Sequence, residues 1–257
     1  MPARWLYVCA IAVVGAAAVA AAAVDAAEIT SSPAPSGGAA ERGVVGLRCA
    51  LDEEGWFATS RGAVLELGAA AADVLLTTAH GLPSDAAAVK RDCRVLVRGK
   101  QYAIADVLNA GGDLQGAEHD WAVVVLEQRI AGDVHRWRAA RVTREWLTKA
   151  VAEGAPVRLV LRAADAAQTD CRFEPNTPDP SLLFAHSCVA HPGISGSPLV
   201  VALDSNPEPM LLGVHVGTQT RWRGTKLDFV RVARSIDAEV AAAITAAAAR
   251  ASQPMRR

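Results

Sequence analysis

Aromatic side chains are scarce in this chain. Only 5% of its 257 residues are aromatic, with two tyrosines, four phenylalanines and six tryptophans. A core must therefore be filled by small aliphatic groups, which alanine and valine supply in quantity. There is no excess of charge of either sign: 26 basic residues face 27 acidic ones, for a net charge of −1. Bulk electrostatics thus gives no reason to expect nucleic acid or an anionic membrane as a partner. No repeat relates one half of the chain to the other, so a repeat array is not expected. At this length the chain holds one large domain or two small ones, with enough residues for a substantial core.

Cysteine is also sparse, and its context is informative. Arg4 is followed by an apolar run over 5–23, and Val24-Asp25-Ala26 fits a small-residue cleavage rule with a cut after Ala26. The run is long enough to approach a membrane span. Alanine is a weak membrane residue, however, and the small-residue tail favours export with cleavage, to the periplasm or beyond the cell. Residues 1–26 are thus expected as a signal peptide, with no stable membrane association after cleavage. Residues 27–42, rich in serine, proline and glycine, read as a flexible lead-in. Cleavage leaves Cys49, Cys93, Cys171 and Cys188 of the five cysteines. An even number in an exported chain suggests two disulfides. Of the three pairings, Cys49–Cys93 with Cys171–Cys188 puts one bridge in each half, each worth about 3–4 kcal/mol if unstrained. Cys171, His186, Cys188 and His191 can also be imagined as zinc ligands. The exported context and the strand-like alternation over 182–188 argue against that, and no metal or cofactor is expected.

Short β-like runs separated by turn signals fill the rest. In the first half they fall at 44–49, 56–67, 74–78, 93–98, 102–107 and 121–126. In the second they fall at 156–161, 168–173, 182–188, 198–203, 210–216 and 227–232. Between the sets, Thr143 caps a helix-forming stretch that Gly154 closes. The pattern predicts an all-β fold of two six-stranded antiparallel barrels, over 43–142 and 156–232, joined by a connector at 143–155. Residues 233–257 are expected as a C-terminal helix and tail. There Ile236, Val240 and Ile244 recur at helical spacing, and the helix is expected to pack onto the second barrel.

Three stretches carry the chemistry. His191-Pro192-Gly193-Ile194-Ser195-Gly196-Ser197-Pro198 holds a serine between glycines just before an apolar strand. Val74-Leu75-Leu76-Thr77-Thr78-Ala79-His80 delivers a histidine at the end of a buried-looking strand. Asp120 directly precedes the apolar run Trp121-Ala122-Val123-Val124-Val125-Leu126, where a carboxylate is costly unless paired, and a histidine N–H suits it.

Over about residues 43–232 these stretches resemble the chymotrypsin-like serine peptidases. The family's Thr-Ala-Ala-His appears as Thr77-Thr78-Ala79-His80, its Asp-plus-apolar-strand motif as Asp120-Trp121-Ala122-Val123, and its Gly-Asp-Ser-Gly-Gly-Pro as Gly193-Ile194-Ser195-Gly196-Ser197-Pro198. The order His, Asp, Ser is the family's own, and the position of Ser197 excludes the α/β-hydrolase elbow. The resemblance implies a serine endopeptidase with Ser195 as nucleophile, His80 as base, Asp120 as orienting acid, and an oxyanion hole from the backbone N–H groups of Gly193 and Ser195. It also implies the two-barrel fold and a protein or peptide substrate; no appended domain is visible along the chain, so a monomer rather than a large assembly is expected.

Departures from the pattern matter. Gly81 replaces the cysteine that usually follows the histidine, so a different bridge, Cys49–Cys93, is expected near His80. Ile194 replaces the aspartate that pairs with a newly cut N-terminus, so no zymogen switch of that kind is expected. Ser197 replaces a glycine, as in bacterial members of the glutamyl-endopeptidase-like branch. By resemblance the substrate pocket takes Val189, Ala190, His191, His215 and Gly217. Apolar Val189 offers no counter-ion to Lys or Arg, whereas His215 matches the histidine that binds an acidic side chain in that branch, with His191 as a possible aid. Ala190 stands where those enzymes usually carry threonine. Glutamate and a small apolar residue both stay open as the preferred side chain. A noncatalytic peptide- or partner-binding relative and an ester hydrolase are the competing readings.

Overall fold

The computed structural model describes residues 43–50, 57–155, 157–159, 172–174, 182–203, 206–223 and 225–253. The expected signal peptide and lead-in lie outside the described residues. Among the described residues no helix is long and apolar enough to cross a membrane.

The first half is a closed antiparallel barrel. Strands β1 (Val44–Ala50), β2 (Phe57–Val64), β3 (Val74–Thr77), β4 (Cys93–Val97), β5 (Lys100–Leu108) and β6 (Ala122–Leu126) pair in the order β1-β2-β3-β6-β5-β4. Side chains alternate across each strand, so one set fills the barrel and the other faces out. Val45, Leu47, Leu75, Val95, Ile104, Ala122, Val124 and Leu126 form one buried cluster. Their neighbours Val44, Val74, Leu76, Val123 and Val125 belong to another. Between β3 and β4 lies α1 (Ala86–Asp92), capped by the Asp85 side chain. At seven residues it is too short to leave a periodic signal in the sequence. Cys49 and Cys93 face each other across β1 and β4 and form the expected disulfide.

The second half departs from expectation. Among the described residues, strands β7 (Val157–Leu159), β8 (Leu183–His186), β9 (Pro198–Leu203), β10 (Asn206–Arg223) and β11 (Lys226–Ser235) make a five-stranded sheet, ordered β7-β9-β10-β11-β8, that is not closed. The strand expected at 168–173 falls largely outside the described residues; of it Arg172 and Phe173 are seen, Phe173 bridging His186. Strand β10 is far longer than the predicted 210–216. Its outer half, Gly217 to Arg223, carries mostly polar residues without apolar alternation, and is held instead by pairing with β11 down to Arg223↔Lys226.

Helix α2 (Arg144–Ala152) occupies the expected connector, with the Thr143 hydroxyl accepting from the Trp146 N–H at 3.1 Å. Its Leu147 packs with Phe173, Phe184, Leu199 and Leu212 of the second half. The terminal helix α3 (Ala238–Ala251) is capped by Asp237. It does not pack chiefly onto the second sheet, as its position in the chain suggests, but against β3 and β6 of the first barrel. Val240, Ile244, Ala247 and Ala251 join Val74, Leu76, Val123 and Val125 in one cluster. The physical reason lies in β3 and β6, whose residues are buried on both faces, so that their outward valines and leucine need a cover.

Candidate functional site

The end of β3 and the start of β6 bring His80 and Asp120 together. The Asp120 carboxylate grips His80 at two points: Oδ2 lies 2.6 Å from ring Nδ1, and Oδ1 accepts the His80 backbone N–H at 2.9 Å. Asp120 is 5% exposed, while the His80 side chain is 37% exposed. A buried carboxylate is stable here because the histidine supplies both of its donors. The bond at Nδ1 fixes the ring orientation and leaves Nε2 as the nitrogen able to act as a base. At the next position, a Cβ on Gly81 would stand 2.6 Å from the Ser60 hydroxyl and 2.7 Å from its Cβ. Any larger residue after His80 would push against β2.

The loop Gly193 to Ser197 is threaded between β2 and β10. Two glycines at positive φ, Gly193 (+83°) and Gly196 (+84°), turn the chain on either side of Ser195. Arg61 of β2 donates its backbone N–H to the Ser195 carbonyl at 2.6 Å. From the other side, His215 of β10 accepts from the Gly196 N–H at 2.7 Å and donates to the Ser197 carbonyl at 2.8 Å. Thr77, three residues before His80, donates its hydroxyl to the Arg61 carbonyl at 2.5 Å. The strand end that carries the histidine and the loop that carries the serine therefore meet on the same residue of β2.

Donors in this loop divide cleanly. The N–H groups of Ile194, Gly196 and Ser197 are engaged by backbone carbonyls, whereas those of Gly193 and Ser195 have no acceptor among the described residues. The Ser195 hydroxyl donates to the Val216 carbonyl at 3.4 Å, a long bond that a rotation about χ1 would break. Ile194, in place of the aspartate, is buried among Leu147, Phe184, Leu199 and Leu212.

The expected substrate residues are spread unevenly. Val189 is 48% exposed on the approach to the loop, with Ala190 partly buried and His191 exposed. Gly217 sits where β10 passes a register shift against β11, with open space around it. His215 is buried, and its Nδ1 lies 3.1 Å from Nε2 of His186 on β8. Burial is the main force lowering both rings: His186 is lowered to about 3, with smaller electrostatic effects from His215 and Arg231, and His215 to about 4, with smaller electrostatic effects from His80 and Arg231. Nδ1 of His186 is buried without a partner among the described residues. Placing a proton there would bury an unsatisfied donor. The favoured tautomer has His186 donating from Nε2 into His215 Nδ1, which leaves His215 with its proton on Nε2.

His186, which the sequence offered only as an imagined zinc ligand, is the residue whose part here the sequence did not reveal. Cys188 is disulfide-bonded, and Cys171, its expected partner, lies outside the described residues. That bond removes Cys188 from any zinc set, and among the described residues no group of side chains could hold a metal ion. No known family model matches the chain, and no curated protein does.

Proposed function

We propose that this chain is an exported serine endopeptidase that hydrolyses peptide bonds through His80, Asp120 and Ser195. The observation that carries the reading is the two-point grip of buried Asp120 on His80. A solvent-facing imidazole held in one tautomer by a buried carboxylate is what a general base requires. Ser195 Oγ attacks the scissile carbonyl while His80 Nε2 takes its proton. The tetrahedral oxyanion is received by the N–H groups of Gly193 and Ser195, whose freedom among the described residues supports that role. Collapse expels the amine, protonated by His80, and leaves an acyl group on Ser195 that water removes by the same steps in reverse.

The second sheet is taken as the second barrel of the chymotrypsin-like fold. Its sixth strand would be the segment around Phe173, which already bridges the β8 edge through His186. A His215 Nε2–H favours a substrate side chain that accepts a hydrogen bond, and so glutamate over a small apolar residue. The protein is read as a monomer, acting on proteins or peptides in the periplasm or outside the cell after loss of its leader.

One observation favours a second reading, a noncatalytic peptide- or partner-binding relative: the Ser195 hydroxyl is bonded to the Val216 carbonyl. Fluorophosphonate labelling of the purified protein separates the two. Label on Ser195, lost in Ser195→Ala while the circular dichroism spectrum is kept, supports catalysis. A folded protein that takes no label supports binding. Mass spectrometry of the products from one denatured protein then distinguishes a peptidase from an ester hydrolase and reads the preferred side chain directly.

A further inference from the structure

The loop that carries Asp120 is held by its carbonyls. Its own turn uses those of Gly116 and Ala117, which accept from the N–H groups of His119 and Asp120. The next ones are taken by side chains from elsewhere. Asn109, at the end of β5, donates its amide to the carbonyl of His119 at 3.0 Å and to that of Trp121 at 2.6 Å, one on each side of Asp120. The Glu118 carbonyl accepts from Nε of Arg234, which lies not in the first barrel but on β11.

Arg234 is 1% exposed, and its guanidinium spends its donors in several directions. Besides the Glu118 carbonyl, Nη1 donates to the Ser235 carbonyl at 2.7 Å. Nη2 lies 3.1 Å from Asp237 Oδ2, off the hydrogen-bond direction, and 3.9 Å from Glu239 Oε2. A buried cation is tolerated only with such compensation, and arginine stays charged where lysine would readily lose its proton. Arg234 is also tied to the nucleophile. It faces Val214 on β10, and the next β10 residue, His215, holds both Gly196 and Ser197.

We propose that Arg234 is a positioning residue for Asp120, fixing the loop of the catalytic acid to the sheet that carries Ser195. The inference rests on the peptidase reading for its kinetic consequence, though not for its structural one. Asn109 holds Asp120 within its own barrel, whereas Arg234 sets where that barrel's acid and base stand relative to the nucleophile. A planar fork reaches the Glu118 and Ser235 carbonyls and the Asp237 side at once; a lysine ammonium at the same place cannot.

The test uses Arg234→Met and Arg234→Lys in the full chain. The first readout is the far-downfield proton NMR signal of the hydrogen bond between His80 and Asp120, which needs no turnover. The second is kcat and KM, with kcat normalised to sites titrated by fluorophosphonate. Both variants should weaken or move the proton signal, and Arg234→Lys, which keeps a hydrogen-bond donor at the site, should fold even where Arg234→Met does not. In the folded variants kcat should fall about 10- to 100-fold with KM nearly unchanged. An unmoved signal and an unchanged kcat per titrated site, with only the melting temperature lowered, would overturn the proposal and leave Arg234 a structural residue. A wild-type protein that takes no fluorophosphonate would instead sink the peptidase reading, while the proton signal would still decide the link from Arg234 to Asp120.

Discussion

A methyl group placed on the Cα of Gly196 would stand 1.9 Å from the carbonyl oxygen of Arg61. It would also come within 2.7 Å of the Thr77 hydroxyl, and φ at Gly196 is +84°. Each condition alone disfavours a side chain; together they require the loop to leave β2. The Arg61 N–H to the Ser195 carbonyl, at 2.6 Å, would then be lost with it.

Gly196→Ala should therefore lower stability by about 2–4 kcal/mol. It should also reduce the rate of fluorophosphonate labelling on the order of 100-fold, the scale expected for a displaced nucleophile. Gly217→Ala is the control for stability, since a Cβ at Gly217 meets nothing within 4 Å and φ there is ordinary. Urea unfolding of both variants checks the first expectation. Equal stability for Gly196→Ala and wild type would mean that the loop rearranges freely and is not locked against β2.

Much of this site is legible along the chain, because its residues stand at strand ends. His80 follows the apolar run of β3, and Asp120 precedes that of β6, so binary pattern alone puts both at one mouth of a barrel. Most of the barrel is equally plain, since β1, β3, β4 and β6 alternate or run apolar, whereas β2 breaks the pattern at Thr59-Ser60-Arg61-Gly62 and β5 at Asp106. Other features depend on packing, and sequence has no local sign of it. Val240 and Ile244 mark α3 as amphipathic without saying which sheet receives them; the outward faces of β3 and β6 decide that. Arg234 lies 114 positions from Asp120 in a strand that also carries Lys226, Asp228 and Arg231, so nothing in its neighbourhood announces a link to Glu118. His186 and His215 likewise meet only because β8 and β10 flank β11.

That histidine pair gives stability a specific pH dependence. Both rings are lowered by burial first, His186 to about 3 and His215 to about 4, from an ordinary 6.5. The folded state therefore refuses protons that the unfolded chain accepts below pH 6.5. The contribution is fully present above pH 6.5 and is lost as pH falls, until the folded rings themselves titrate near 4 and 3. By pH 5 the loss is on the order of 2 kcal/mol for each ring. Glu145, lowered from 4.5 mainly by its own backbone hydrogen bond and then by Thr143, adds its share only below that value. Urea midpoints at pH 7 and pH 5 should differ clearly in the wild type. In His186→Gln, which offers His215 an amide that does not titrate, the difference should shrink by about half. An undiminished difference would place the acid sensitivity elsewhere.

Helix α3 provides the remaining expectation, and it concerns which half of the molecule the C-terminus supports. Ile244 is 7% exposed and packs in the cluster of Val74, Leu76, Val123 and Val125. The Ala251 carbonyl at the end of the helix accepts from the N–H groups of Ala71 and Ala72, just before β3, at 3.0 and 3.2 Å. Arg250 pairs with Asp106 of β5. These contacts belong chiefly to the first barrel, although the same cluster also takes in Val200, Leu211 and Val214 of the second sheet. Ile244→Ala should cost roughly 2–5 kcal/mol, the range for truncating a buried isoleucine. The loss should be local as well as global. Hydrogen exchange should show lowered protection first in β3 and β6, whose outward faces the helix covers, with β10 and β11 less affected. Loss of protection confined to β10 and β11 would mean that the helix supports the second sheet in solution.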